Sequence, residues 1–208
     1  MMEPLWLSYA KRLQAIASTG LHYSADQSDR QRYEEVGSIA NEMLAALGSV
    51  PIERIEGLVS ESARGHATPR VDVRGALIED NSILLVRERS DGLWTLPGGF
   101  ADVGRSAARN VEREMYEEAG LNVCASRLYC VRYKAGGPYP PDVRDFYKMF
   151  FLCDRLDDAH PRPGPETSEV GFFRLNELPP LSTGRVMQAD IEAAFTFAAE
   201  PQTPALFD

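Results

Sequence analysis

The segment Val111–Gly120, read as VEREMYEEAG, places four glutamates within seven residues. Glu117 and Glu118 follow Glu114 by three and four residues, so on a helix both lie one turn from it. Like charges at this spacing destabilise an isolated helix by about 0.2–0.5 kcal/mol per pair. The segment is therefore either a solvated helix face or a surface that binds something positive.

The residues around this cluster predict a helix with one packing face and one acidic face. Ser106 is suited to the N-cap and Gly120 to the left-handed position after the last turn. Carboxylate oxygens on one arc of a helix are ligands that Mg²⁺ and Mn²⁺ prefer. Apolar residues at helical spacing predict the buried stripe, which consists of Ala108, Val111, Met115 and Ala119.

A glycine turn precedes the predicted helix. Gly98 and Gly99 follow Pro97 and come directly after a predicted strand, Leu93–Leu96. Glycine permits a positive φ and a close approach of the backbone to a ligand or metal. The order of strand, glycine turn and acidic helix predicts that backbone groups and carboxylates meet at one point.

The remaining pattern predicts a layered α/β domain. Short β-type runs with a helix inserted and a helix at the end are typical of this fold class. The polar residues Glu79–Ser82 predict a hairpin turn between the first two strands. Besides Leu93–Leu96, the predicted strands are Val71–Ile78, Ile83–Val86, Val123–Tyr133, Phe146–Cys153 and Val170–Phe173, and the predicted last helix is Arg185–Ala199.

The N-terminal third predicts a small helical domain. Helical stripes cover Leu5–Ser18, which Gly20 is predicted to close, and a segment from an Asp26 or Ser28 cap to Gly48. A third helix is predicted over Pro51–Ser60. Because about sixty residues barely bury a core alone, the helices should pack on the rest of the chain or on a second subunit. We place this helical domain at residues 1–66 and the α/β domain at residues 67–208.

Composition and charge disfavour some classes of function. The net charge of −9 and the lack of a basic stripe disfavour binding to nucleic acid or anionic membranes. The start lacks a basic region and no long apolar run follows, which predicts neither a signal peptide nor a membrane span. Cys124, Cys130 and Cys153 show no CxxC spacing, which predicts buried free thiols in a cytoplasmic protein.

A longer stretch around the acidic helix, Gly99–Leu121 or GFADVGRSAARNVEREMYEEAGL, closely resembles the Nudix box. The flanking stretches LLVRERSDGLWTLPGG and EVGFFRLNELP are also similar to that family, so the resemblance extends over about residues 71–181. It implies a Nudix-type α/β/α sandwich with a mixed sheet, preceded here by the small helical domain. The residues in register with the box are Gly99, Arg113, Glu114, Glu117, Glu118, Gly120 and Leu121.

The resemblance implies an activity. Nudix enzymes use Mg²⁺ or Mn²⁺ to cleave a phosphoanhydride in a nucleoside diphosphate joined to another group, which here would give a nucleoside monophosphate and a phosphorylated product. Glu114, Glu117 and Glu118, with the backbone of Gly98 and Gly99, would hold the cations. The N-terminal segment also resembles the helical extension of a Nudix subgroup that acts on ADP-ribose or CDP-choline and tends to dimerise. A small-molecule substrate and a homodimer are therefore expected.

One position departs from the box. Arg105 stands where the family usually has its first glutamate, which typically pairs with the arginine matched here by Arg113. Two like charges would then meet, unless Asp102 or Glu112 compensates. The departure motivates an alternative function, a catalytically silent Nudix-like sensor of a nucleotide metabolite.

Further site residues remain open between two interpretations. Glu166 and Glu169 can supply the general base, or can only keep their loop soluble. Arg74, inside an apolar run, can bind substrate or pair with Asp72 or a helix carboxylate. The other candidates for substrate contact are Arg87 and Arg89, for which surface charge is the alternative, Phe100 as a base-stacking ring, and Lys134 and Tyr139 in a long loop.

Overall fold

The computed structural model of the protein describes residues 4–48 and 66–208. Contacts divide the chain into two units, each described separately below. One contains the N-terminal helices and the segment Pro141–Phe146, and the other contains Val71–Pro140 and Tyr147–Asp208. The predicted helix over Pro51–Ser60 lies outside the described residues.

The first unit contains two long helices, α1 over Leu5–Tyr23 and α2 over Gln27–Gly48. The Asp26 carboxylate accepts a hydrogen bond of 2.9 Å from the Asp29 N–H, which confirms Asp26 as the cap of α2. The predicted end of the first helix near Gly20 is wrong, because α1 continues for three residues beyond it. A Cβ at Gly20 would lie 2.4 Å from the Tyr33 ring, so this glycine permits close packing of α1 on α2.

A mixed sheet forms the centre of the second unit. The strands follow the order β3-β2-β1-β6-β5-β8, with β4 paired to β1 and β7 paired to β2. The pairing of β5 with β8 is parallel, and that of β5 with β6 is antiparallel. The strands are β1 Arg70–Glu79, β2 Ser82–Glu88, β3 Trp94–Thr95, β4 Gly98–Phe100, β5 Val123–Tyr133, β6 Phe146–Arg155, β7 Thr167–Phe173 and β8 Leu206–Phe207.

The hairpin between β1 and β2 turns at Asp80 and Asn81, with φ values of 48° and 59°. Two central residues with positive φ form the tight turn whose twist matches two antiparallel strands. This confirms the turn predicted at Glu79–Ser82. The alternation of β2 then sends successive side chains to opposite faces of the sheet.

Two helices cover the two faces, α3 over Ala107–Ala119 and α4 over Gln188–Ala199. The unit is therefore an α/β/α sandwich with a mixed sheet, as predicted. One buried cluster joins Leu84 and Val86 of β2 to Val111, Met115 and Ala119 of α3. The other joins Ile83 and Leu85 of β2 to Ile191, Ala194 and Phe197 of α4.

The cysteines and the helices bear on two further predictions. All three cysteines are free thiols, with Cys130 and Cys153 buried and Cys124 exposed. The prediction of a buried thiol is therefore wrong for Cys124, whose side chain alternates with that of buried Val123 along β5. Over the residues that the structure describes, none of the helices combines the length and apolar character that crossing a membrane requires.

Candidate active site

Helix α3 begins and ends where its sequence predicts. The Ser106 hydroxyl accepts a hydrogen bond of 3.2 Å from the Arg109 N–H at the first turn. Gly120 ends the helix in the left-handed conformation, with φ of 70° and its N–H on the Tyr116 carbonyl. Because Met115 and Ala119 pack into the core, the glutamates lie on the neighbouring side of the helix.

The glycine turn lies against the end of α3. Gly98 on β4 pairs with Arg74 on β1, and a Cβ at Gly98 would lie 2.0 Å from the Val73 carbonyl oxygen. Its φ of 148° also disfavours any other residue there. The Gly98 N–H donates a hydrogen bond of 2.9 Å to Oε2 of Glu118. A carboxylate of α3 therefore meets the backbone of the glycine turn.

Burial shifts the pKa of two of these carboxyls. Glu118 is 5% exposed, and loss of solvent raises its pKa to about 8, against the lowering effects of the Arg74 charge and the Gly98 N–H. Burial likewise raises the pKa of Glu114, which Arg113 opposes and Glu117 reinforces. The negative charge of both groups is therefore only partly compensated by the protein.

Arg113 connects the helix carboxylates to the loop before α3. Its guanidinium lies 2.7 Å from Glu114 Oε1, 3.4 Å from Glu117 Oε2 and 3.0 Å from Asp102 Oδ2. The pair with Glu117 joins residues four apart on α3, so it can orient part of the acidic cluster. Asp102 also contacts Arg105 at 3.4 Å, so it is the acid that separates the two arginines.

The other acid considered for that role, Glu112, has different partners. It pairs with Arg109 at 2.7 Å and accepts a hydrogen bond from the Ala125 N–H. Glu112 therefore joins α3 to β5. The predicted option that Glu112 compensates the charge of Arg105 is therefore wrong.

An open cleft of about 510 Å³ lies beside the acidic face of α3. The loop before β7 forms its second wall and docks on the last turn of the helix. The Arg162 and Gly164 N–H groups donate to the Ala119 and Glu118 carbonyls at 2.9 and 3.2 Å. Four carboxylates from the helix and the loop line the cleft, namely Glu114, Glu117, Glu118 and Glu166.

The two candidate bases therefore have different environments. Glu166 lines the acidic cleft together with the three helix glutamates. Glu169 lies on β7 opposite Arg87 of β2, and its carboxylate is 2.6 Å from the Arg87 guanidinium. Of the two, the structure brings Glu166 to the helix carboxylates.

The arginines predicted to contact substrate also differ in their surroundings. Arg74 is buried and donates two hydrogen bonds, of 3.0 and 2.9 Å, to the Asp72 carboxylate. These contacts favour the structural pair that the sequence left open. Arg87 is held by Glu169, whereas exposed Arg89 donates to the Pro165 carbonyl, next to Glu166.

The remaining candidates divide in the same way. Phe100 is about half exposed at the end of β4, directly after the glycine turn. Lys134 and Tyr139 are buried, and the Tyr139 hydroxyl donates a hydrogen bond of 2.7 Å to Asp190. Both side chains therefore face inward, which disfavours the predicted contact with substrate.

Three residues with a place in the site were not predicted. Tyr116 and Arg162 line the cleft, and buried Asn110 binds the loop before α3. Tyr116 lies between the glutamates on the exposed side of the helix, so its helical position was a usable signal. Arg162 stands between two prolines, but nothing local indicates that its loop docks on α3.

The cleft offers the ligand atoms that suit a hard divalent cation. Its carboxylate oxygens match the ligands of Mg²⁺ and Mn²⁺, and the raised pKa values of Glu114 and Glu118 indicate negative charge that a cation would stabilise. Across residues 4–48 and 66–208, no three acidic, histidine or cysteine side chains converge closely enough to hold a metal ion. Arg113 pairs with Glu114 and Glu117, and the Gly98 N–H donates a hydrogen bond to Glu118.

Comparisons with known proteins agree with this geometry. Residues 68–194 match the family described as the NUDIX domain. Residues 4–59 match a family described as a UDP-X-like, N-terminal oligomerisation domain. A Bacillus subtilis (strain 168) protein named "Putative ADP-ribose pyrophosphatase YjhB" is 41% identical over 100% of this chain and 99% of its own length.

Solved structures show the same likeness. A UDP-X diphosphatase structure is 31% identical with a TM-score of 0.63, and the match covers 100% of both chains. An ADP-ribose pyrophosphatase of Streptococcus suis 89-1591 is 35% identical with a TM-score of 0.60, over 68% of this chain and 100% of its own. The matched domain, the full-length relative and the shared fold lead to one conclusion: this chain belongs to the Nudix hydrolase family.

Proposed function

We propose that this Nudix hydrolase cleaves the phosphoanhydride of a nucleoside diphosphate linked to a second group. ADP-ribose is the leading substrate, because the full-length Bacillus subtilis relative carries that name. The UDP-X diphosphatase structure supports the broader substrate class, within which CDP-choline is also a candidate. The observation that carries the proposal is the cleft lined by Glu114, Glu117, Glu118 and Glu166. These carboxylates would repel a diphosphate unless divalent cations lie between them, so the cleft suits a diphosphate bound together with such cations.

Glu114, Glu117 and Glu118 are proposed to hold Mg²⁺ or Mn²⁺, with the backbone of Gly98 and Gly99 beside them. Cations held there would supply positive charge against the diphosphate and a lowered pKa for a water, which could then attack as hydroxide. Gly99 suits this position, since a Cβ there would meet the Glu114 carboxylate at 3.3 Å.

The chain's own residues have three further proposed tasks. Arg113 orients Glu114 and Glu117, because it lies within 3.5 Å of both carboxylates. Glu166 takes the proton of the attacking water, since it is the later-loop acid that lines the cleft. Glu169 is a weaker candidate for that role, because Arg87 already holds its carboxylate.

Contacts to the rest of the substrate are proposed from exposure and position. Phe100 offers an exposed ring beside the glycine turn for stacking on the base. Arg89 is exposed and bound to the loop that carries Glu166, so it can reach a phosphate or ribose. Arg162 is an exposed cation that lines the cleft itself, and an arginine there suits a phosphate.

We also propose a homodimer formed through the helical domain at residues 1–66, with the catalytic domain at residues 67–208. Helix α1 exposes an apolar stripe, and such a stripe usually marks an interface. The matching family is described as an oligomerisation domain, which supports an oligomer. The exposed residues of the stripe are Leu5, Tyr9, Ile16 and Tyr23.

A cytoplasmic location is a further proposal. Its support is the chemistry of the three cysteines, which are all free thiols. Free thiols persist where glutathione and thioredoxin keep cysteines reduced. Fractionation of the native host, with immunodetection of the chain, tests the location.

A substrate panel with product identification tests the proposed activity. The purified chain is incubated with ADP-ribose, UDP-sugars, CDP-choline, NADH and nucleoside triphosphates, with Mg²⁺ or with Mn²⁺. Mass spectrometry of the ADP-ribose reaction should find AMP and ribose 5-phosphate, which fix both the substrate and the bond broken. Binding of a nucleotide without cleavage would instead support the silent sensor. Failure to cleave any compound at high enzyme concentration would contradict the proposal.

A further inference from the structure

Position 105 lacks the glutamate that the box usually has there, but the loop before α3 carries another carboxylate three residues earlier, at Asp102. Asp102 Oδ2 lies 3.0 Å from Nη2 of Arg113 and 3.4 Å from Nη1 of Arg105. One oxygen therefore forms ion pairs with both arginines. Without it, two cations would face each other at the entrance to the acidic helix.

Asp102 is also held in place by the helix. The side chain of Asn110 is fully buried, and its Oδ1 accepts a hydrogen bond of 3.0 Å from the Asp102 N–H. The amide nitrogen of Asn110 donates to the carbonyls of Asp102 and Ser106 at 3.4 and 3.1 Å. Both backbone polar groups of Asp102 are thus fixed to the first turns of α3. An acidic residue that only kept the loop soluble would not need its backbone fixed by these hydrogen bonds.

Arg113 depends on this partner from outside its own helix. Its Nη2 lies 2.7 Å from Glu114 Oε1 and 3.0 Å from Asp102 Oδ2, so the two carboxylates share one nitrogen. Its buried Nε has no acceptor within the part of the chain that the structure describes. The orientation of the guanidinium is therefore set by its ion pairs with Asp102 and with the helix glutamates.

We propose that Asp102 is a positioning residue that takes the place of the missing first acid of the box. Asp102 fixes Arg113, and Arg113 holds Glu114 and Glu117 in the positions needed for the cation. The presence of Arg105 is tolerated because Asp102 neutralises it. This inference rests on the proposed function, because it assigns the acid that the Arg113 arrangement requires.

The alternative is an ordinary surface ion pair. The two interpretations predict different effects of losing Asp102 on activity. Asp102 and Arg105 are each 50% exposed, and exposed pairs contribute little to stability. Loss of Asp102 should therefore shift the melting temperature by less than about 3 °C. Misplacement of reacting groups by about 1 Å can cost roughly 100-fold in rate, so a positioning role predicts a large effect on activity.

The test combines removal of the acid with its return at position 105. Wild type, Asp102→Asn, Arg105→Glu and the double variant Asp102→Asn/Arg105→Glu are compared for kcat and KM on the best substrate of the panel. Mn²⁺ affinity by electron paramagnetic resonance and melting temperature are measured on the same four proteins. Asp29→Asn is the matched control, because Asp29 and Arg32 form an exposed pair at the same spacing of three residues.

We expect Asp102→Asn to lower kcat by about 10- to 100-fold, with a smaller change in KM and a Mn²⁺ affinity weakened by about tenfold. The double variant should return to within about threefold of wild type, because its glutamate gives Arg113 an acid again. Arg105→Glu should retain activity, and Asp29→Asn should match wild type.

Two results would overturn the inference. One is an Asp102→Asn protein with wild-type kcat and Mn²⁺ affinity. The other is a folded double variant no better than Asp102→Asn. If the wild type cleaves no compound, the proposed function fails. In that case the Mn²⁺ affinities of the variants still test the role of Asp102. A wild type that binds no Mn²⁺ overturns both.

Discussion

The backbone N–H of Gly98 and the carboxylate of Glu118 are joined by a hydrogen bond of 2.9 Å. The two residues come from different elements, a short strand and the last turn of α3, and the contact lies beside an acidic cleft. One N–H donor offsets only part of the desolvation cost of a buried, charged carboxylate, so a cation would stabilise it further. This relationship connects the stability of the protein to pH and to divalent cations.

The first prediction concerns stability without metal. The folded-state pKa of Glu118 is raised from 4.5 to about 8, so the folded chain binds this proton more tightly than the unfolded chain does. The stabilisation is fully present below about pH 4.5 and is lost as pH rises through about 8. Glu118→Gln should remove this loss, so at about pH 8.5 it should melt roughly 5 °C above wild type in EDTA.

Differential scanning fluorimetry between about pH 5 and 9 measures this effect. Glu192→Gln on the exposed side of α4 is the control, and its curve should parallel that of wild type. If Glu118→Gln also follows the wild-type curve, the burial of an uncompensated carboxylate is not what the structure indicates.

The second prediction concerns the glycine turn. Gly98→Ala places a Cβ about 2.0 Å from the Val73 oxygen at a φ of 148°, so backbone atoms must move. We expect it to lower the free energy of unfolding by roughly 3 kcal/mol, through strain and overpacking together. Urea denaturation followed by circular dichroism gives this value.

Gly184→Ala provides the matched control, since its Cβ would meet nothing within 4 Å. It should stay within about 0.5 kcal/mol of wild type. Equal stability of the two variants would show that β4 does not approach β1 as closely as described.

The third prediction separates the two candidate bases. Glu166→Gln should lower kcat by about 10²- to 10⁴-fold, the range of general acid–base catalysis. Glu169→Gln should lower kcat less than about threefold, because this carboxylate pairs with Arg87 on the sheet. The reverse order of effects would assign the base to Glu169.

The fourth prediction concerns the apolar stripe of α1. Ile16→Asp places a charge on that stripe and should turn a dimer into a monomer, because an uncompensated charge is costly in an apolar interface. Sedimentation velocity at micromolar concentration distinguishes the two states. Gln31→Asp, an exposed position on α2, should leave the dimer intact. A monomeric wild type would contradict the proposed interface.

The sequence predicted the parts of the fold that local chemistry determines. The caps of α3 at Ser106 and Gly120 and the turn at Asp80 and Asn81 depend on the conformations that these residue types favour. The period of the apolar residues likewise located the sheet and its two covering helices. These features need no knowledge of distant contacts.

Distant contacts account for what the sequence did not predict. Strand β4 is three residues long and forms because Gly98 and its neighbours pair with β1. The role of Gly20 depends on Tyr33 of another helix. The sequence left Arg74 open between substrate binding and a structural pair, and the bidentate contact with Asp72 that favours the pair is known only from the folded backbone.

The most direct test of the central claim is a calorimetric titration of Mn²⁺ into the metal-free wild type and into Glu117→Gln and Glu118→Gln. The account predicts saturable binding to wild type at about pH 7.5, and an affinity at least tenfold weaker in each variant. Because the pKa of Glu118 is about 8, wild-type binding should release a proton, which two buffers of different ionisation enthalpy reveal. Absence of saturable binding, or equal affinity in all three proteins, would contradict the claim that this acidic cleft holds divalent cations.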